Sequence, residues 1–167
     1  SWSLAADWPQ WRGANRDDRS PDRSILANWP KEGPKQLWLS REGGLGYSGF
    51  SVVKGRLYTM GAMDDGEYVL CLDAESGKTI WKSKIDSRVY ENNWGNGPRS
   101  TPTIDGDFAY ALSANGILAC LSTKDGKVQW TADFIKDFGG ELQSWGYTES
   151  VLIDGDRLYC TPGGSQG

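Results

Sequence analysis

The chain has 167 residues, carries a formal net charge of −4 and contains no histidine. It therefore has no Ser-His-Asp or Cys-His catalytic group and no zinc site with an imidazole ligand. No cluster of Lys and Arg is longer than a pair, and no apolar run reaches the roughly 18 residues of a membrane span. We expect neither a nucleic-acid partner nor a membrane span.

The first 35 residues are predicted to be an N-terminal extension ahead of the repeats. The opening "SWSLAAD" has small residues before an acidic one, which fits the end of a cleaved export signal or a cloning remnant. Leu37 and Trp38 resemble the end of a strand without its upstream half. Residues 36–167 are predicted to form the β domain.

From residue 46 onwards, one pattern occurs three times. Each copy has two glycines nine positions apart, with β-forming residues on both sides of the second glycine. That glycine suits the positive-φ position of a turn, so each copy predicts a β-hairpin. The glycine pairs are Gly46 and Gly55, Gly97 and Gly106, and Gly146 and Gly155.

A second pattern follows the first two hairpins. The segments "CLDAESGKTIW" and "CLSTKDGKVQW" have the same length, and their tryptophans, Trp81 and Trp130, are 49 residues apart. A repeat of 40–50 residues with two hairpins is typical of a propeller blade. The sequence predicts an all-β fold, a β-propeller of four-stranded antiparallel blades with only about three blades present, partial or open. The blade units span about 46–85, 97–134 and 146–167, the last one truncated.

The second pattern resembles the tryptophan-docking motif of the quinoprotein alcohol dehydrogenase-like superfamily, Ala-x-Asp-x-x-Thr-Gly-x-x-x-Trp. Both copies keep the glycine and the tryptophan and replace the alanine by cysteine, and the second copy also lacks the aspartate. The resemblance implies that each tryptophan ring is clamped between the first residue of its motif and the glycine peptide of the neighbouring blade. The docking residues are Cys71, Gly77, Trp81, Cys120, Gly126 and Trp130.

The amino-terminal "DWPQWRGANRDDRSP" resembles the opening of pyrroloquinoline-quinone-like repeat proteins that are abundant in planctomycete-type bacteria. Propellers close into rings of blades, and three open blades leave sheet edges and one blade face uncovered. We therefore expect a fragment, a split chain, or a chain that closes its ring with other copies. The expected partners are a protein or the remaining blades, on the same or a separate chain.

The first strand of each blade is expected to line the central channel. Arg99 and Glu149 place charges at the entry to two of these strands, where a charge needs a partner, water or a ligand. One interpretation is a ligand or partner site at the channel mouth; the other is a structural Arg–Glu pair that links blades. The aromatic surfaces of such a site are Tyr47, Tyr147, Trp94 and Trp145.

No metal site is expected. The segment from Asp86 to Asn93 also contains Glu91 and Asn92 as oxygen ligands, but it lacks the regular spacing of a calcium loop.

Three functions fit these patterns. The favoured one is a non-catalytic scaffold that binds a protein or ligand, like the BamB-type lipoprotein of outer-membrane assembly, with no cofactor. The alternatives are part of a dehydrogenase that uses pyrroloquinoline quinone (PQQ) and calcium, or a carbohydrate-binding propeller. The adjacent cysteine pair that flanks the quinone in the dehydrogenases has no match here, nor do their aspartate base and calcium ligands. The resemblance implies a periplasmic or secreted location.

Overall fold

Antiparallel sheets make up nearly all of the regular structure. A computed structural model describes residues 5–23 and 28–165. Two sheets have four strands in sequential order and a third has two. Their strands are β1 (Ser51–Val53), β2 (Arg56–Met63), β3 (Gly66–Asp73), β4 (Thr79–Asp86), β5 (Thr103–Asp105), β6 (Phe108–Leu112), β7 (Ile117–Ser122), β8 (Val128–Asp133), β9 (Leu152–Asp154) and β10 (Arg157–Tyr159). The all-β, partial-propeller fold is confirmed.

One short helix, α1 (Phe134–Phe138), follows β8 and was not predicted from the sequence. Asp133 caps its N-terminus by accepting from the backbone N–H groups of Ile135 and Lys136, and Gly139 ends it with a φ of 68°. Phe134 is fully buried, so the helix fixes one large ring beneath the loop that leads to the third blade.

The first strand of each blade pairs with its hairpin partner over only three residues. The residues ahead of these strands bond instead to the next blade: the Tyr47 N–H donates to Pro98 O at 2.8 Å, and the Ser48 hydroxyl to Ser100 O at 2.7 Å. The Thr101 N–H donates to the Ser150 hydroxyl at 2.8 Å. Regular pairing therefore starts five or six residues after the glycine that opens each pattern.

Trp81 lies across the neighbouring blade. Its indole N–H donates to Thr123 O at 3.0 Å, and a Cβ on Gly126 would lie 2.5 Å from its ring. Within its own blade, Trp81 is paired with Cys71, whose small side chain is fully buried. The ring thus has its own sheet on one side and the Gly126 turn on the other, so Gly126 cannot carry a side chain.

Trp38 makes the same contact with the first blade. Its indole N–H donates to Ala74 O at 3.0 Å, and its ring occupies the space that a Cβ on Gly77 would need. Trp38 lies in an irregular segment, whereas the sequence predicted the end of a strand. The ring is placed by the glycine turn even though no strand of the described residues pairs with this segment.

Two apolar clusters join the three blades. Between the first and second blades, large side chains such as Tyr58 and Met60 pack against small ones such as Ala109 and Ala119. Between the second and third, the cluster contains Leu112, Leu118, Phe134, Tyr147 and Val151.

Cys71 belongs to the cluster between the first and second blades. Burial raises the pKa of its thiol to about 11, so this cysteine is a neutral packing group at physiological pH.

Residues 7–16, which we call the strap, run across the first strands of all three blades. Trp8 exchanges two backbone hydrogen bonds with Val52, at 2.7 and 2.8 Å. The Ile104 N–H donates to Pro9 O at 2.7 Å, and the Arg16 guanidinium donates to Val151 O at 2.7 Å. Part of the predicted N-terminal extension is therefore bound to the blades; residues 1–4, at the proposed signal remnant, lie outside the described residues.

We predict that Trp81→Ala lowers the free energy of unfolding by about 3–5 kcal/mol, because it empties a closed space between two blades. Trp81 is 8% exposed, whereas Trp130 is 44% exposed and meets no docking glycine within the described residues. Trp130→Ala, the matched control, should cost less than about half as much. Urea unfolding of both variants checks this, and equal losses would contradict the docking arrangement.

Candidate functional site

An open pocket lies where the strap crosses the first strands, and we call it the strap pocket. It has a volume of about 560 Å³. The strap contributes Trp11 and Arg16 to this pocket. Of the aromatic and charged groups from the blades, Tyr47 belongs to the first blade, Arg99 to the second and Glu149 to the third. Its full lining is Trp11, Arg16, Tyr47, Gly49, Arg99, Thr101, Thr148, Glu149 and Ser150.

Arg99 is held rigidly in this pocket. It donates to Gly97 O at 2.6 Å and to Gly95 O at 2.7 Å. Its guanidinium also lies 5.3 Å from the centre of the Tyr47 ring and 4.8 Å from that of Tyr90, within cation–π range. A guanidinium has five N–H groups, so Arg99 retains donors in a fixed direction for a ligand.

Glu149 lines the same pocket but is bound elsewhere. Its carboxylate accepts the backbone N–H of Thr161 at 2.7 Å. Within residues 5–23 and 28–165, the ion pairs are Arg12–Asp18, Lys84–Asp65 and Arg88–Asp86, so none joins Arg99 to Glu149. The interpretation of a direct structural Arg–Glu pair is therefore wrong, because each group is held by backbone atoms of its own surroundings.

Trp94 and Trp145 do not reach the strap pocket. They lie side by side on the loops that lead into the second and third blades, with ring centroids 5.7 Å apart and planes tilted by 36°. They are 72% and 52% exposed. Tyr47 connects the two regions, because it lines the strap pocket and its hydroxyl donates to Trp94 O at 2.6 Å.

Tyr147 was expected beside these rings and instead lies in the core. It is only 9% exposed, packs edge-on against Phe134 at 5.3 Å and donates its hydroxyl proton to Pro162 O at 2.8 Å. Tyr47, its counterpart in the repeat, is exposed. The difference arises from α1, which supplies the ring that covers Tyr147.

Two buried carboxylates, Glu67 and Asp86, lie at the junction of the first two blades. The sequence indicated only Asp86, as an oxygen ligand, and did not indicate its pairing with Glu67. Glu67 is fully buried and accepts the N–H groups of Ala114 at 2.8 Å and Tyr90 at 3.1 Å. Asp86, its register partner, binds the Arg88 guanidinium at 3.0 Å and the Ser113 hydroxyl at 2.9 Å. The sequence does contain a signal for Glu67. It is acidic, whereas the equivalent residue of the second repeat, Gly116, 49 positions later, is a glycine.

Burial raises the pKa of Glu67 above its ordinary value, opposed by the two backbone N–H groups and by Arg99. Asp86 was considered as a calcium ligand, and its oxygens are occupied by Arg88 and Ser113 instead. In the parts of the chain that the structure describes, no group of three acidic, cysteine or histidine side chains is arranged to hold a metal ion. Nor does any helix there have the length and apolarity to cross a membrane.

Repeated four-stranded blades joined by tryptophan–glycine contacts define a propeller of the PQQ-like repeat class. The family model described as outer membrane protein assembly factor BamB matches residues 23–165. The chain belongs to this family.

Solved structures that are similar to this chain include two dehydrogenases. A europium-containing methanol dehydrogenase has a TM-score of 0.52 and 17% identity over 74% of this chain and 22% of its own. The quinohemoprotein alcohol dehydrogenase ADHIIG from Pseudomonas putida HK5 has a TM-score of 0.47 and 21% identity over 67% of this chain and 16% of its own.

BamB from Moraxella catarrhalis has a TM-score of 0.41 and 15% identity over 72% of this chain and 44% of its own. The chain therefore spans less than half the length of each of these proteins. No curated protein matches.

The pH dependence of stability should report on Glu67. Because its pKa is higher in the folded protein, the folded state keeps a proton that the unfolded chain has released, so Glu67 lowers stability as pH rises above the ordinary value of 4.5. Glu67→Gln cannot ionise, although it loses one backbone hydrogen bond. We predict that its stability deficit relative to the wild type narrows as pH rises, measured by urea unfolding; a constant or widening deficit would contradict the shift.

Proposed function

We propose that this chain is part of a non-catalytic propeller platform that binds a partner protein at the strap pocket. The observation that carries the proposal is the fixed guanidinium of Arg99 in an open pocket, with the rings of Tyr47 and Tyr90 beside it and no carboxylate of the described residues paired to it. Such a group is pre-organised to bind a carboxylate without ordering a flexible side chain.

The pocket favours a peptide segment with an acidic group next to an apolar or aromatic residue. Arg99 binds the carboxylate, while the exposed rings of Trp11 and Tyr47 pack against the neighbouring side chain. Buried aromatic and arginine side chains are the residues that most often dominate protein interfaces. The hydroxyls of Thr101, Thr148 and Ser150 supply further hydrogen bonds at the wall of the pocket.

The family supports a platform in an extracytoplasmic compartment. Its model is described as an outer membrane protein assembly factor, which is a protein that acts on other proteins. The alternative, part of a PQQ-dependent dehydrogenase, has support only from the shared fold, because identity to those enzymes is 21% or less. We therefore propose a location in the periplasm or outside the cell, and we propose that the chain has no intrinsic cofactor.

We predict that the wild-type protein enriches acidic peptides from a random display library and that Trp11→Ala weakens their binding about tenfold or more, as truncation of a central interface residue does. Trp29→Ala is the matched control, because Trp29 is an exposed tryptophan that does not line the pocket. Isothermal titration with the enriched peptides measures the affinities. Equal affinity for the wild type and Trp11→Ala would contradict the assignment of the pocket.

The dehydrogenase alternative makes a different prediction on the same sample. Titration with PQQ, with and without calcium, is followed by tryptophan fluorescence. The platform predicts no saturable, calcium-dependent quenching. Saturable quenching that requires calcium would overturn the non-catalytic assignment.

A further inference from the structure

The exposed pair Trp94 and Trp145 lies outside the strap pocket and has no role in it. Both rings are more than half exposed, and they face the same cavity of about 350 Å³. Large aromatic side chains grouped on a surface commonly mark a binding site, because isolated apolar residues are ordinary and clustered ones are not.

The pair is held in place by hydrogen bonds between its two loops. The Asn92 side chain donates to Ser144 O at 2.7 Å and accepts the Trp94 N–H at 2.6 Å. The Tyr90 hydroxyl also donates to Ser144 O, at 2.6 Å. Since both loops are already fixed to each other, a ligand would meet a preformed surface.

The surroundings of the pair are polar and uncharged. The cavity beside the two rings is lined by Asn92, Asn93, Trp94, Ser144 and Trp145. A neighbouring cavity of about 490 Å³ shares Asn92 and Asn93 and extends the surface towards Tyr47; its lining is Leu45, Gly46, Tyr47, Asn92, Asn93, Gly95 and Asn96. No Asp, Glu, Lys or Arg of the described residues lines either cavity, in contrast to the strap pocket.

Asn93 is the group most available to a ligand. It is exposed, and its side-chain amide makes no hydrogen bond within residues 5–23 and 28–165, whereas the Asn92 amide is engaged with Ser144 and Trp94. A free amide offers two donor hydrogens and an acceptor oxygen. It therefore suits neighbouring hydroxyl groups, which both donate and accept.

We propose that Trp94, Trp145 and Asn93 form a binding site for a neutral oligosaccharide. The C–H face of a pyranose ring is apolar and slightly positive, so it stacks on the negative face of an indole ring. The two rings, 5.7 Å apart, offer stacking faces to one sugar unit or to two successive units. Asn93 then binds the hydroxyls at the edge of the sugar, and the neutral lining disfavours charged saccharides.

This site is independent of the strap pocket, so either proposal can fail while the other stands. The probes are maltohexaose, cellohexaose and chitohexaose as neutral oligosaccharides, with a galacturonic acid hexamer as the charged comparison. A decaproline peptide is included because proline-rich segments also dock on aromatic grooves. Binding is followed by tryptophan fluorescence and isothermal titration on the full chain.

We expect at least one neutral hexasaccharide to bind saturably and more tightly than the galacturonic acid hexamer. Trp94→Ala, Trp145→Ala and Asn93→Ala should each weaken it, the tryptophan variants by about tenfold or more. Trp29→Ala is the control that should bind like the wild type, because Trp29 is an exposed tryptophan that lines neither cavity. Thermal unfolding shows whether each variant is folded, and Trp94→Phe, which keeps an aromatic face, should retain most of the affinity.

Three results would overturn the proposal. The first is no binding of any neutral hexasaccharide into the millimolar range. The second is oligosaccharide binding that is unchanged in folded Trp94→Ala and Trp145→Ala. The third is binding of decaproline alone, which would make the surface a peptide site.

Discussion

The contact between a tryptophan ring and a glycine turn of the next blade fixes the spacing of the blades. A four-stranded sheet has two faces, and neither can be covered within one repeat, so each blade depends on its neighbour. Trp81 and Trp38 both use an indole N–H to bind a carbonyl near the turn and a ring face to cover the glycine. One tryptophan side chain thus both orients the neighbouring blade, through its hydrogen bond, and buries apolar surface between the blades. The loops at the blade ends are positioned by this contact.

The two candidate surfaces differ because different chain segments build them. The strap pocket combines the strap with the segments that precede the first strands of all three blades, and it contains charges of both signs. The tryptophan pair is built from two loops and is neutral. Both surfaces lie between blades, so their geometry depends on the relative position of the blades more than on the shape of any single blade. Tyr47, which contributes to the first and is hydrogen-bonded to the second, is where they meet.

The hairpins and blades could be predicted from the sequence because their signals are local and repeated. Gly55 and Gly126 occupy turns with φ of 73° and 72°, which favour glycine whatever the surroundings. Tyr47 and Tyr147 share the same Gly-Tyr context and end in opposite environments, because α1 covers only the second. Glu67 could have been found by comparing the repeats with each other. The path of the strap could not, because its partners are far away in the sequence and follow no periodic pattern.

The strap also imposes an order of events on folding. Arg16 binds Val151, which follows it by 135 residues, so this bond can form only after the third blade is in place. Contacts of such long separation are slow to form, because a large loop must close before they are gained. Trp8 and Pro9 can bind the first and second blades earlier, so the strap is fixed in steps and its Arg16 end comes last. Until then the inner edge of the third blade presents unpaired backbone groups, and in that interval the nascent chain is most exposed to mispairing with another chain or to capture by a chaperone.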